Sequence, residues 1–246
     1  MGAFNRLSAL ILILLITAST RAADVADLSK PYPEPQRFEK SIKAFELADE
    51  KNPPAPGQIV CVGSSSMVGW HATIQKDLAP LKVIARGFGG SNMNDALYYV
   101  DRVVIKYRPR AVVLYEGDND INAGVTPAKI AETFKTFVNT IHKKLPDARI
   151  YVLSIKPSPS RWSLWPKSIE ANMLLKAACA ADKRLTYVSI VETMMQPDGK
   201  VKEEIFKADR LHMLPAGYVL WRDVLKPILM SKEMVAGLIE KAPIEK

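Results

Sequence analysis

The chain has 246 residues, 48% of them hydrophobic and 24% charged, with a formal net charge of +8. It is long enough for one domain with a substantial core, and its basic residues are scattered among acids, which argues against a nucleic-acid site and for a solvated basic surface. Only two cysteines occur, Cys61 in an apolar run and Cys179 in an alanine-rich stretch. Two cysteines in an exported protein can pair, but both settings suit small buried side chains better than a disulfide.

Residues 1–22 have the pattern of a secretion signal: Arg6 at the positive start, an apolar stretch from Ala9 to Ile16, and Thr20-Arg21-Ala22 before a cut at Ala23. The apolar stretch is short for a membrane span, so the expectation is a periplasmic or secreted protein without stable membrane insertion once the signal is cleaved. Losing Arg6 and Arg21 leaves a charge of +6. Residues 23–56 form an extension with one helix, in which Phe38, Ile42 and Phe45 repeat at helical spacing until Pro53-Pro54-Ala55-Pro56 ends it. Residues 57–246 form the main domain.

Five short apolar runs follow: Ile59–Val62, Val83–Ala85, Ala111–Tyr115, Ile150–Ile155 and Leu185–Ile190. Helical patterns separate them. The clearest has Thr126 as cap, Pro127 in the first turn, and Ile130, Phe134, Phe137, Ile141 and Leu145 on one face. Alternating strands and helices predict an α/β fold with a five-stranded parallel sheet covered on both faces, in the order 2-1-3-4-5. In such sheets the site forms beyond the carboxyl ends of the strands. Ser64–Ser66, Gly87–Gly90 and Gly117–Asp120 follow the first, second and third runs and fall there together.

A serine becomes a nucleophile when a base takes its proton, and the base needs a partner that fixes its tautomer. Serines after a strand also cap the next helix, a role for which Ser66 is well placed. Composition does not choose among Ser64, Ser65 and Ser66. Gly87-Phe88-Gly89-Gly90 lacks the third glycine of a dinucleotide fingerprint, since position 92 is Asn. Its glycines serve a tight turn or let a backbone amide approach an oxyanion. In Gly117-Asp118-Asn119-Asp120, ionised aspartates cannot donate, so Asn119 is the candidate donor. Of three histidines, His71 is expected at the surface and His142 as a cation suited to a helix C-terminus. His212 alone has an acid at short fixed spacing, Asp209, in a loop before Pro215 opens the last helix.

These four blocks, in this order and at these strand ends, resemble the SGNH/GDSL hydrolases over about Gly57 to Tyr218. The resemblance implies a flavodoxin-like three-layer α/β/α fold and ester hydrolysis without a metal or cofactor. It makes Ser65 the nucleophile, His212 the base and Asp209 its orienting acid. The Ser65 and Gly90 amides and the Asn119 side chain would form the oxyanion hole. Ser64 stands where the family's name-giving block has Asp, a Gly-Ser-Ser-Ser variation that keeps Ser66 as a rival register. Asp118, inside the asparagine block, is a second departure.

The segment Lys156–Arg161, continuing through Trp162 to Trp165, leaves the fourth strand on the site's side, where Arg161 and Trp162 are expected to contact substrate. The expected substrate is a small-molecule or polysaccharide ester, with acetyl esters of carbohydrate first and lysophospholipid or short-chain lipid esters second. A catalytically silent carbohydrate-binding module and a flavodoxin-like cofactor binder are the rivals outside catalysis. Nucleic acid is not an expected partner.

Overall fold

The computed structural model describes residues 29–234; the signal-like segment 1–22 lies outside them. Five parallel strands, β1 (Ile59–Gly63), β2 (Val83–Gly87), β3 (Ala111–Tyr115), β4 (Arg149–Leu153) and β5 (Leu185–Val188), pair in the order β2-β1-β3-β4-β5. The expected order is therefore the observed one. The last two apolar runs continue past their strands, because apolar character and sheet pairing end at different places. Ile155 and Ile190 stay fully buried, while the Ser154 hydroxyl accepts from the Ile190 amide and replaces the next rung of the ladder.

The central strands β1 and β3 are apolar throughout because the sheet is covered on both sides, and alternate residues serve different cores. Val60, Val62, Val112, Leu114, Ile150 and Val152 join α1 (Glu39–Lys51), α4 (Met93–Tyr98), α5 (Val100–Val103), α7 (Pro127–Lys144) and α8 (Trp165–Ala180). Ile59, Cys61, Val113, Tyr115, Tyr151 and Leu153 join α2 (Ser65–Trp70), α3 (Ile74–Asp77), α9 (Val191–Met194) and α10 (Pro215–Leu229). Both cysteines are buried and free. Helix α7 begins as the sequence implies: Thr126 Oγ1 accepts from the Lys129 amide at 3.3 Å, with Pro127 next. The four-residue helices α3, α5 and α9 give no readable period, since one turn shows no stripe.

Helix α1 and the turn Pro35–Phe38 that precedes it dock through Ile42 and Phe38, each worth about 2–3 kcal/mol when buried. Around them Arg102 reaches Glu39 and Glu46, part-exposed pairs that water screens. The apolar contacts therefore dominate. Phe38 meets Phe88 edge-on, with ring centroids 5.2 Å apart, so this N-terminal segment props the loop that follows β2.

Candidate active site

The first site loop is set by close packing at the end of β1. A Cβ on Gly63 would lie 2.3 Å from the Tyr115 carbonyl oxygen, so only glycine lets β1 approach β3 this closely there. The Ser64 amide donates to that same carbonyl, and the Ser64 carbonyl receives the Met67 and Val68 amides. Ser65 is thereby the first residue of α2, where its own amide has no intrahelical acceptor and the helix dipole favours negative charge.

The second loop folds over this point. Phe88 donates its amide to the Gly63 carbonyl and Ser91 to that of Phe88. Gly90 turns with φ +89°, open to glycine at no cost. A Cβ built on Gly89 would lie 3.7 Å from Ser65 Cβ, which places the glycine loop directly on the serine. The third loop supplies Asn119, half-buried, whose Nδ2 donates to the Ser91 carbonyl at 2.8 Å.

The fourth loop carries its own acid. Asp209 Oδ1 accepts the Leu211 and His212 amides, both at 2.9 Å, and Oδ2 meets His212 Nδ1 at 2.7 Å. The His212 contact, then the two amides, hold the Asp209 carboxyl far below the usual carboxylate range. The other ring nitrogen, Nε2, lies 2.9 Å from Ser65 Oγ across 147 residues of sequence. With Nδ1–H facing the carboxylate, Nε2 is the free lone pair that a base requires.

Behind these loops sits a layer of buried acids. Asp120 accepts the Met93 and Gly117 amides at 3.0 Å each, tying the second and third loops together. Burial pushes its carboxyl up to about 6. Glu116 accepts from Ser91 Oγ at 2.5 Å, and its Oε2 meets no partner among the described residues. Burial, with Asp120 nearby, drives the Glu116 carboxyl well above the ordinary range. Asp118 differs: burial raises it, but the charges of Lys156 and Arg161 outweigh that and hold it below its usual value.

Several sequence expectations need correction. Ser66 does not cap α2; it lies inside the first turn, 1% exposed, out of the contact that His212 makes with Ser65. His71 is not a free surface residue, because its Nε2 accepts the Gly87 amide at 2.9 Å and pins the end of β2. His142 is not a helix-end cation: its side chain is 7% exposed, and burial lowers its affinity for a proton. Its proximity to Lys143 and Lys144 gave the misleading signal.

The two expected substrate contacts divide. Arg161, on the turn Pro159–Leu164, donates to Asp118 Oδ1 at 2.7 Å and Asn119 Oδ1 at 3.0 Å. Trp162 remains exposed and stacks on Trp165, centroids 6.1 Å apart with planes 14° from parallel. It lines a cavity of about 530 Å³ with Pro159, Gln196, Lys200, Glu203 and Arg210. Arg210 belongs to the loop that also carries Asp209 and His212, although neither of those two lines the cavity. Sequence reasoning missed Gln196, Lys200 and Glu203, which come from an irregular segment with no motif. Among the described residues no cluster of three or more His, Cys, Asp or Glu side chains is arranged to hold a metal ion, and no helix is long and apolar enough to cross a membrane.

A serine, a histidine and an aspartate linked in series at the carboxyl edge of a doubly wound sheet define a serine ester hydrolase. The chain belongs to the GDSL-like Lipase/Acylhydrolase family, which it matches over residues 56–220. It is 26% identical over 206 residues to the platelet-activating factor acetylhydrolase IB subunit alpha1 of Homo sapiens, covering 80% of this chain and 87% of that protein. The fold is similar to that of a GDSL-like lipase from Bacteroides thetaiotaomicron VPI-5482, with TM-score 0.63, 17% identity, and coverage of 80% of this chain and 98% of the other. It is also similar to an acetylxylan esterase from Geobacillus stearothermophilus, with TM-score 0.56, 13% identity and coverage of 72% and 94%.

Proposed function

We propose that the protein is an exported esterase that removes small acyl groups, acetyl first among them, from carbohydrate. The series Asp209–His212–Ser65, with contacts of 2.7 and 2.9 Å, is the observation that carries the chemistry. His212 Nε2 takes the Ser65 proton as Oγ attacks the ester carbonyl, and Asp209 holds the imidazolium that forms. The carbonyl oxygen becomes an oxyanion held by the Ser65 and Gly90 amides and by Asn119 Nδ2. His212 returns the proton to the departing alcohol, leaving an acyl-serine. Water then loses a proton to His212, attacks the acyl carbon and releases the carboxylic acid as Ser65 recovers its hydrogen.

The cavity that Trp162 and Arg210 line supports a sugar as the alcohol. Trp162 offers a flat apolar face, and Gln196 adds an amide. Its charged side chains are balanced in pairs, Lys200 with Asp198 and Arg210 with Glu203. A flat aromatic wall ringed by hydrogen-bonding groups without strong net charge matches a glycosyl ring better than a fatty chain. Relatives named for acetyl removal agree with a small acyl group. Export, to periplasm or medium, rests on the pattern of residues 1–22.

The test combines fluorophosphonate labelling of wild type, Ser65→Ala and Ser66→Ala with rates on p-nitrophenyl esters from acetyl to octanoyl, acetylated xylo-oligosaccharides and lysophosphatidylcholine. Labelling should vanish only in Ser65→Ala, rates should fall with chain length, and the sugar ester should exceed the lysolipid. A maximum at octanoyl or on lysophosphatidylcholine would replace the carbohydrate reading with a lipid one. A wild type that neither labels nor hydrolyses any of these esters would remove the catalytic roles assigned here.

A further inference from the structure

An oxyanion-hole asparagine has a weakness that a backbone amide lacks. Its carboxamide is nearly symmetric in shape, and a half-turn about its last bond presents a carbonyl oxygen where an N–H is needed. Accepting atoms facing an oxyanion would repel it. Something must decide which end points forward.

In this protein both ends of the Asn119 amide meet partners that tolerate only one orientation. The Ser91 carbonyl can only accept, and it takes one Nδ2 hydrogen at 2.8 Å. The Arg161 guanidinium can only donate, and its Nη2 supplies Asn119 Oδ1 at 3.0 Å. A flipped amide would set donor against donor and acceptor against acceptor. The second Nδ2 hydrogen is left for the oxyanion.

We propose that Arg161 is a positioning residue, which locks the Asn119 carboxamide with its N–H towards the oxyanion. The inference rests on the esterase reading above and extends it to a residue that acts through Asn119. It also assigns a purpose to Asp118. Arg161 Nη1 is held by Asp118 Oδ1 at 2.7 Å, and Asp118 Oδ2 is held by Lys156 Nζ at 2.8 Å. The guanidinium is thus braced on one side and aimed at Asn119 on the other. The Ser160 amide donates to the Arg210 carbonyl at 3.1 Å, fastening this turn to the loop of Asp209 and His212.

The experiment is a double-mutant cycle of Arg161→Met and Asn119→Ala in the full chain, read as kcat and KM on p-nitrophenyl acetate, with Arg161→Lys beside it. Arg161→Met should lower kcat about 10–100-fold, less than loss of the donor itself, with KM changed by no more than about twofold. In the Asn119→Ala background the same change should add less than about threefold, because its effect passes through Asn119. Arg161→Lys preserves the charge opposite Asp118 but has no second arm for Asn119, so it should lose kcat as Arg161→Met does. This variant carries the test if Arg161→Met fails to fold. Losses that multiply in the cycle, a rise in KM at constant kcat, or full activity in Arg161→Lys would each overturn the proposal. A wild type inert towards p-nitrophenyl acetate would instead overturn the esterase reading beneath it.

Discussion

The two ends of the sheet each hold a buried carboxylate between two cations, and they use it differently. At the carboxyl end, Asp118 binds Lys156 and Arg161, and Arg161 still has a donor free for Asn119. At the amino end, Glu233 receives Arg110, Arg149 and the Tyr151 hydroxyl, closing the turn after α10 against β4. Burial, and then Glu233, keep the Tyr151 phenol protonated. The charge count is the same. What differs is the destination of the last hydrogen bond: at one end it reaches Asn119, the oxyanion donor proposed above, and at the other it closes on the scaffold. A buried ion cluster is therefore not a functional site by charge alone; its outward bonds decide.

This contrast predicts that variants at the carboxyl end should change rate and those at the amino end should change stability. The largest effect should come from Ser65→Ala, on the order of 10⁵–10⁶ in kcat with an unchanged melting temperature. A residual rate far above that would mean the hydroxyl in contact with His212 is not the nucleophile. Glu233→Gln should cost about 2–4 kcal/mol in denaturant unfolding, less than a fully buried pair because water still reaches Arg110 and Arg149. Its kcat should match wild type, and a loss of rate without loss of stability would erase the contrast. Asn119→Ala should lower kcat about 10²–10³-fold with a small change in KM.

The smallest effect concerns Glu116 and pH. Its pKa is raised in the folded protein, so the folded state keeps a proton that the unfolded chain releases above its ordinary value of 4.5. The stability from this group is thus full below that value and declines as pH rises towards the folded pKa, by up to about 1.4 kcal/mol per pH unit. Glu116→Gln resembles the neutral acid and does not titrate. It should change unfolding free energy little at pH 4.5 and flatten the decline between pH 5 and 7; identical slopes in the two proteins would show Glu116 ionised in the fold.

The sheet was legible because strands buried on both faces must be apolar at every position, and that leaves continuous runs. Three of the site loops were legible because each follows such a run, and the fourth because Asp209 and His212 interact within one turn of chain. The network beneath them was not. Arg161 and Asn119 are 42 residues apart, and neither residue type signals the other. Glu116 looks like an ordinary acid at the end of a strand until the fold buries it and raises its pKa. His71 and His142 depart from expectation because the fold turns both rings inward, to the Gly87 amide and the Ala148 carbonyl.

The ring of His212 finds Asp209 three residues away but finds Ser65 only across 147. The acid–base half of the machinery can form in a short loop, while the link to the nucleophile requires the sheet and α10 to be in place. A chain caught before that closure has a pre-set imidazole and an ordinary alcohol far from it, and so is chemically harmless to the esters around it. Turnover then becomes a late milestone of folding: in a refolding time course, the return of activity should lag the return of secondary structure.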